Sequence, residues 1–180
     1  CSAFYPLYVD GAIVTIQGRV KPEYVINDNK YRYLKGRPSP SLYIPIQPES
    51  DIYYLCEGIL TSLAFLTDKL PAIAVTSSNF NVGKVIDGLE KFIPDKTKCL
   101  LIMSPDLDAT DDATDDKEDK KKPDKMHELK IELIKKGFNV SPEDHSVYNE
   151  GIRAGISSEI IINTRGFDYG DVLKLRKDKL

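Results

Sequence analysis

The sequence predicts an α/β fold: a mostly parallel sheet with helices on both faces, preceded by a small β-rich, basic subdomain. Three observations carry this. Beyond Pro48 short apolar runs alternate with segments of helical period, the rhythm of strand–helix–strand units. The run Ile52–Leu66 (IYYLCEGILTSLAFL) reads as a buried strand closing on Glu57, then Gly58, then an apolar helix. The first 48 residues lack that rhythm and alternate apolar with polar in brief stretches.

Each element follows in order. Residues 1–48 hold Ala12-Ile13-Val14-Thr15-Ile16, Tyr31-Arg32-Tyr33-Leu34 and Leu42-Tyr43-Ile44-Pro45-Ile46, punctuated by Asp10-Gly11, Asn27-Asp28-Asn29 and Pro38/Pro40. Such punctuation predicts short antiparallel strands. In residues 49–180 a strand at 52–56 leads into a helix at 59–68, and a strand at 72–76 into a helix at 82–92. The latter places Val82, Val85, Ile86 and Leu89 on one face. Ser77-Ser78-Asn79 between them serves either to cap that helix or to touch a ligand. A strand at 99–103 precedes an acidic loop, and a helix at 124–136 presents Met126, Leu129, Leu133 and Ile134 before Gly137 stops it. A short strand near Phe138–Val140, a helix around 146–155, a β-rich strand from Glu159 to Asn163 and a terminal helix from Asp168 complete the chain.

With 180 residues the chain has room for one domain, or one and a half, with a sizeable core. Its net charge of −3 conceals segregation. Arg19, Lys21, Lys30, Arg32, Lys35 and Arg37 make the first forty residues basic, whereas Asp106 through Asp119 holds eight acids against the single base Lys117. A basic face can hold phosphate on an acidic chain, because binding follows local potential. Residues 109–123 (ATDDATDDKEDKKKP) repeat ATDD and cannot bury surface, so a mobile loop is expected.

Cys1, Cys56 and Cys99 form no CxxC pair and no zinc spacing, and the latter two read as small core side chains. No run approaches the ~20 apolar residues of a membrane span, and no secretory signal is present. A reduced, cytoplasmic protein without membrane contact is expected. Cys1-Ser2 imitates a processed lipoprotein start, but a strand-like pattern begins at once at Phe4, so a piece of a longer protein is the reading. His127 and His145 have no partner at ligand spacing and read as surface histidines.

A charge ending a buried strand is costly to bury, so Glu57 belongs at the strand's C-terminal edge, where open α/β sheets place their chemistry. The strand at 99–103 empties onto Ser104-Pro105-Asp106-Leu107-Asp108. Two strands delivering Glu57, Asp106 and Asp108 to one edge make a pocket suited to a divalent cation, Mg²⁺ or Mn²⁺.

The strand–Glu-Gly–helix followed by a strand leading to D-x-D resembles the Toprim domain of bacterial-type primases, type IA and II topoisomerases and some nucleases. The preceding segment narrows the resemblance. Phe4 through Arg19 (FYPLYVDGAIVTIQGR) resembles the primase pattern F-P-I-x-D-x-x-G-x-I-V-G-F-x-G-R, and Asn29 through Leu34 (NKYRYL) is similar to the P-K-Y-L-N element after it. A basic β subdomain feeding a Toprim domain is the layout of DnaG-type catalytic cores, including phage and plasmid versions. The resemblance spans residues 4–110. One departure stands out: Ser104 directly follows Met103, so either Asp106 and Asp108 are the paired acids, or Asp106 is the second acid and Ser104 stands where the first would be.

The resemblance implies a nucleotidyltransferase that makes short primers on single-stranded DNA from nucleoside triphosphates, working with a replicative helicase through parts outside this chain. Glu57, Asp106 and Asp108 would be catalytic and metal-holding, with Glu57 a ligand or the group handling the nucleophile's proton. Arg19 and Lys30 would line the nucleotide and template path, and Arg32, Lys35 and Arg37 extend that patch by proximity. Asp168-Tyr169-Gly170-Asp171 is similar to a late D-x-N-D element of the family, so Asp168 and Asp171 either add acids to the pocket or cap a helix. A Toprim nuclease or topoisomerase-like enzyme is the alternative, and a degenerate module that binds nucleic acid without catalysis is the third reading.

Overall fold

The computed structural model describes residues 3–9, 12–26, 31–34, 40–45, 47–77, 79–107, 125–164 and 167–177. Strands β1 (Ala3–Val9), β2 (Ala12–Arg19) and β3 (Tyr31–Tyr33) form an antiparallel sheet in that order. The next strand, β4 (Leu42–Tyr43), leaves that sheet and pairs antiparallel with β6 (Ala72–Val75) at the edge of a second one. This second sheet has five strands in the order β4-β6-β5-β7-β8, with β5 (Ile52–Glu57), β7 (Leu100–Ser104) and β8 (Asn139–Val140) parallel to β6.

Among the described residues six α-helices accompany the strands: α1 (Ile59–Thr67), α2 (Val82–Phe92), α3 (Lys125–Lys135), α4 (Val147–Arg153), α5 (Ser158–Asn163) and α6 (Tyr169–Lys177). Strand alternation divides the core. Tyr53 and Leu55, Ile73 and Val75, and Leu101 and Met103 point to one face, where Val85, Ile86 and Leu89 of α2 and Met126, Leu129 and Leu133 of α3 cover them. Cys56, Ala72 and Ala74 point to the other, against Ile59, Ala64 and Phe65 of α1 and Tyr169 and Leu173 of α6. Helices thus lie on both faces, and burying each large apolar side chain contributes about 1.5–3 kcal/mol. Leu7 of β1 is fully buried in the second cluster, so the small sheet docks on the α1/α6 side. Gly137, at φ +80°, turns the chain out of α3.

One element differs in kind. Glu159–Asn163, expected as a strand from its isoleucines, lies within helix α5. Ser157 Oγ accepts a hydrogen bond from the Ile160 N–H at 3.3 Å, an N-cap that starts the helix. Ile161 is buried while Ile160 and Ile162 are exposed, so one residue of the run, rather than alternate ones, supplies the core contact. Cys99 lies one residue ahead of β7 and is only half-buried, whereas Cys56 is fully buried.

Candidate functional site

The sheet order fixes where chemistry can sit. The chain passes from β5 through α1 to β6 on one side, then returns to add β7 on the other, so β5 lies at a topological switch point. Crevices outside the carboxyl ends of strands at such points are the usual ligand sites of open α/β sheets. Glu57 ends β5 there, opposite Val75 of β6, and its predecessor Cys56 is in register with Ser104, the end of β7. Gly58 follows with φ +76° and ψ 142°, and its N–H bonds Val75 O at 2.9 Å. That conformation, which a side chain resists, turns the chain abruptly from strand into α1 and leaves the half-buried Glu57 at the edge.

Asp106 lies two residues beyond β7, half-buried, with Oδ1 shielded from solvent. Its loop is fastened on its far side, where the Leu107 N–H bonds Phe167 O at 2.9 Å, immediately before Asp168. Three acids remote in sequence act electrostatically on Cys56, the residue before Glu57 on β5. The Cys56 thiol is held well above its ordinary pKa by burial first, and then by the negative charges of Asp106, Asp168 and Glu57. Cys56 is consequently an inert thiol.

Asp168 takes up the capping alternative. Its Oδ1 accepts from the Asp171 N–H at 3.0 Å, and its own N–H donates to Asp171 Oδ2 at 3.3 Å, a reciprocal cap on α6. Thr61 Oγ1 of α1 donates to the other oxygen at 2.8 Å. Burial, and next the charge of Asp168, raise the pKa of Asp171, partly offset by Lys174 and Arg19. Arg19, exposed at the end of β2, therefore reaches the electrostatic neighbourhood of the α6 head.

The expected basic residues do not share one face. Arg19 is in register with Tyr31, and Arg32 with Gly18, so Arg19 and Arg32 leave the small sheet on opposite sides. Asp108, Lys30, Lys35 and Arg37 lie outside the described residues. Among the described residues no three His, Cys, Asp or Glu side chains gather as a metal-holding group. Mg²⁺ needs fewer: it is held by one or two carboxylates with waters and phosphate oxygens, and the Asp106 carboxylate, with Oδ1 shielded from solvent, is a hard donor of that kind.

Two assignments change. The cap of α2 is Asn81, whose Oδ1 accepts from the Lys84 N–H at 3.0 Å, and Asn79 instead accepts from Lys125 Nζ at 2.8 Å. Both residues line a groove of about 480 Å³ at the head of α2, with Phe80, Gly83, Lys125 and Glu128. His145, read as a surface histidine, is half-buried: its ring lies edge-on to Tyr54, Phe65 and Tyr169, with centroids 5.4, 5.3 and 5.7 Å away. Its Nδ1 is 3.1 Å from Ser104 Oγ, and its backbone N–H donates to Met103 O at 2.7 Å. Burial lowers its pKa. Ser104, itself buried, thus turns to the α1/α6 face and is engaged by His145. No spacing rule links residues 41 apart in sequence, so only the fold reveals this pair. His127 is exposed.

Comparison with known proteins adds no relative: no family model matches the chain, and no curated protein does.

Proposed function

We propose that this chain is a Toprim-like catalytic core of a primase, a nucleotidyltransferase that joins nucleoside triphosphates on single-stranded DNA. The observation that carries the reading is that β5 ends on Glu57 and its parallel neighbour β7 leads into Asp106, both at the carboxyl edge by the switch point of the sheet. The strand order, the glycine turn after Glu57 and the antiparallel sheet docked alongside support it. With Ser104 occupied by His145, Asp106 and Asp108 are the better assignment of the paired acids.

Primer synthesis asks little covalent chemistry of a protein; it asks for positioning and for neutralisation of charge on phosphate. Glu57 and Asp106, with Asp108, would hold Mg²⁺ or Mn²⁺, which when bound offsets charge on the attacking and leaving oxygens. Before a cation arrives the acids repel one another by roughly 1 kcal/mol at 4 Å in water, and several-fold more at an effective dielectric near 20. Glu57, at the rigid end of a central strand, accepts the proton of the primer's 3′ hydroxyl or orients it. Arg19, near the α6 head, supplies positive charge for triphosphate or template. A replicative helicase would be met through parts outside this chain. Among the described residues no helix is long and apolar enough to cross a membrane.

The test is template-directed synthesis. The protein is incubated with single-stranded DNA, labelled nucleotides and Mg²⁺ or Mn²⁺, and products are sized. Extended oligonucleotides support the primase; shortened template indicates the Toprim nuclease; salt-sensitive binding with neither indicates the non-catalytic module. Glu57→Gln is expected to lower synthesis by about 10³-fold or more with an unchanged melting temperature, the scale at which removing a key charge-stabilising group acts. Normal synthesis by that variant overturns the site.

A further inference from the structure

We propose that His145 is a positioning residue for the carboxyl edge: through Ser104 it fixes the direction in which β7 releases the chain toward Asp106. This rests on the reading of that edge as the cation site. The loop from β8 to α4 follows β7 beyond the end of their regular pairing. Ser141 N–H bonds Leu101 O at 2.8 Å and His145 N–H bonds Met103 O at 2.7 Å. Lys130 of α3 steadies the loop, donating to Pro142 O at 2.8 Å and pairing with Asp144 at 2.6 Å. The His145 side chain then crosses to the other face, bonds Ser104 Oγ and fits against three aromatic rings. Phe65 stacks on Tyr169 at 4.2 Å and 3° and on Tyr54 at 4.8 Å and 17°, a rigid wall for the imidazole.

Asp106 is therefore borne on a span fastened at both ends, by the Ser104–His145 bond before it and the Leu107–Phe167 bond after it. The far fastening leads directly into Asp168. The clasp works with a neutral imidazole, since an imidazolium among these rings loses hydration. The groups that face it are the phenols of Tyr54 on β5 and Tyr169 on α6, the latter donating to Asp68 at 2.6 Å, and Glu150 and Arg153 of α4, whose charges act on it in opposite senses. Phe65 of α1 and Ser104 of β7 bring no charge.

Three variants of the full chain test this. His145→Phe keeps a ring among the aromatics and loses the Ser104 bond; Ser104→Ala loses the same bond from the other side; His145→Asn keeps an amide near the Nδ1 position. Outer partners of a metal site typically matter about 10- to 100-fold, so Mn²⁺ affinity is expected to weaken by about tenfold in the Phe and Ala variants and to stay within about threefold in the Asn variant. The protection factor of the Leu107 amide against hydrogen exchange should fall in step in the Phe and Ala variants, and in the parent it should fall on acidification below the ordinary histidine range while staying flat in the Phe variant. Unchanged Leu107 protection in folded His145→Phe and Ser104→Ala overturns the proposal. Because protection needs neither cation nor turnover, loss of protection in a protein that binds no Mn²⁺ and makes no primer upholds the clasp and overturns the primase reading alone.

Discussion

Gly58 holds φ +76° and ψ 142°, a region in which a side chain costs about 1–3 kcal/mol. Its would-be Cβ has room, the nearest atom being Thr61 Oγ1 at 3.9 Å, so the cost is one of backbone conformation. Gly58→Ala is expected to lose about 1–3 kcal/mol in urea unfolding and to displace Glu57, weakening Mn²⁺ binding in parallel. Glu57 and its glycine were legible in the sequence because a carboxylate that closes an apolar run has few places to go. Asp106 was legible because the loop leaving β7 carries its acids immediately beyond the strand end. The engagement of Ser104 by His145 was not, since it depends on the register of β7 and on a loop that no local pattern announces. Nor was the reciprocal cap of Asp168 with Asp171, or the bond that Thr61 of a distant helix gives Asp168.

Helix α5 shows how propensity yields to capping and context at the scale of an element. Three β-branched residues in succession argue for a strand, yet Ser157 offers a cap and Thr164 Oγ1 returns a bond to Ile160 O at 2.7 Å. Packing then decides: Ile161 fits beside Gly151 of α4, where an added Cβ would come within 2.6 Å of its Cδ1. Because the helix has only six residues, its cap is a large share of its support. Ser157→Ala is expected to cost about 1 kcal/mol, read as a lower melting temperature with faster amide exchange confined to 158–163. The longer elements were readable because their apolar spacing is unambiguous; α2 and β5 fall where the pattern put them. The pairing of Leu42–Tyr43 with β6 was not readable, since two residues carry no period.

Across the whole molecule, two titrations act in opposite directions. His145 is depressed below its ordinary 6.5 by burial, so its contribution is intact above that value and is lost as pH falls through the folded pKa. Asp171 is raised above its ordinary 3.8, so its contribution is present below that value and is lost as pH rises through the folded pKa. Melting curves should therefore show stability declining as the solution is acidified from neutrality, with His145→Phe removing that decline. The proposed binding of single-stranded DNA would be a property of the assembled surface. About four phosphate contacts would give a log–log salt slope near −3, and a slope near zero would remove the nucleic-acid reading. The α/β class, the helices on both faces and the small antiparallel sheet were legible because each depends on pattern. The division of Arg19 from Arg32 was not, because it follows from which residues pair across β2 and β3.

The bond from Leu107 to Phe167 has a practical use. On the other bank, Lys125 Nζ grips Asn79 Oδ1 and the Phe80 carbonyl, each at 2.8 Å, so Leu107 and Lys125 are both moored to the body of the fold. A fluorescent reporter attached at the Leu107 mooring would ride on backbone tied to Phe167, next along the chain to Asp106, a built-in observation post for the proposed site.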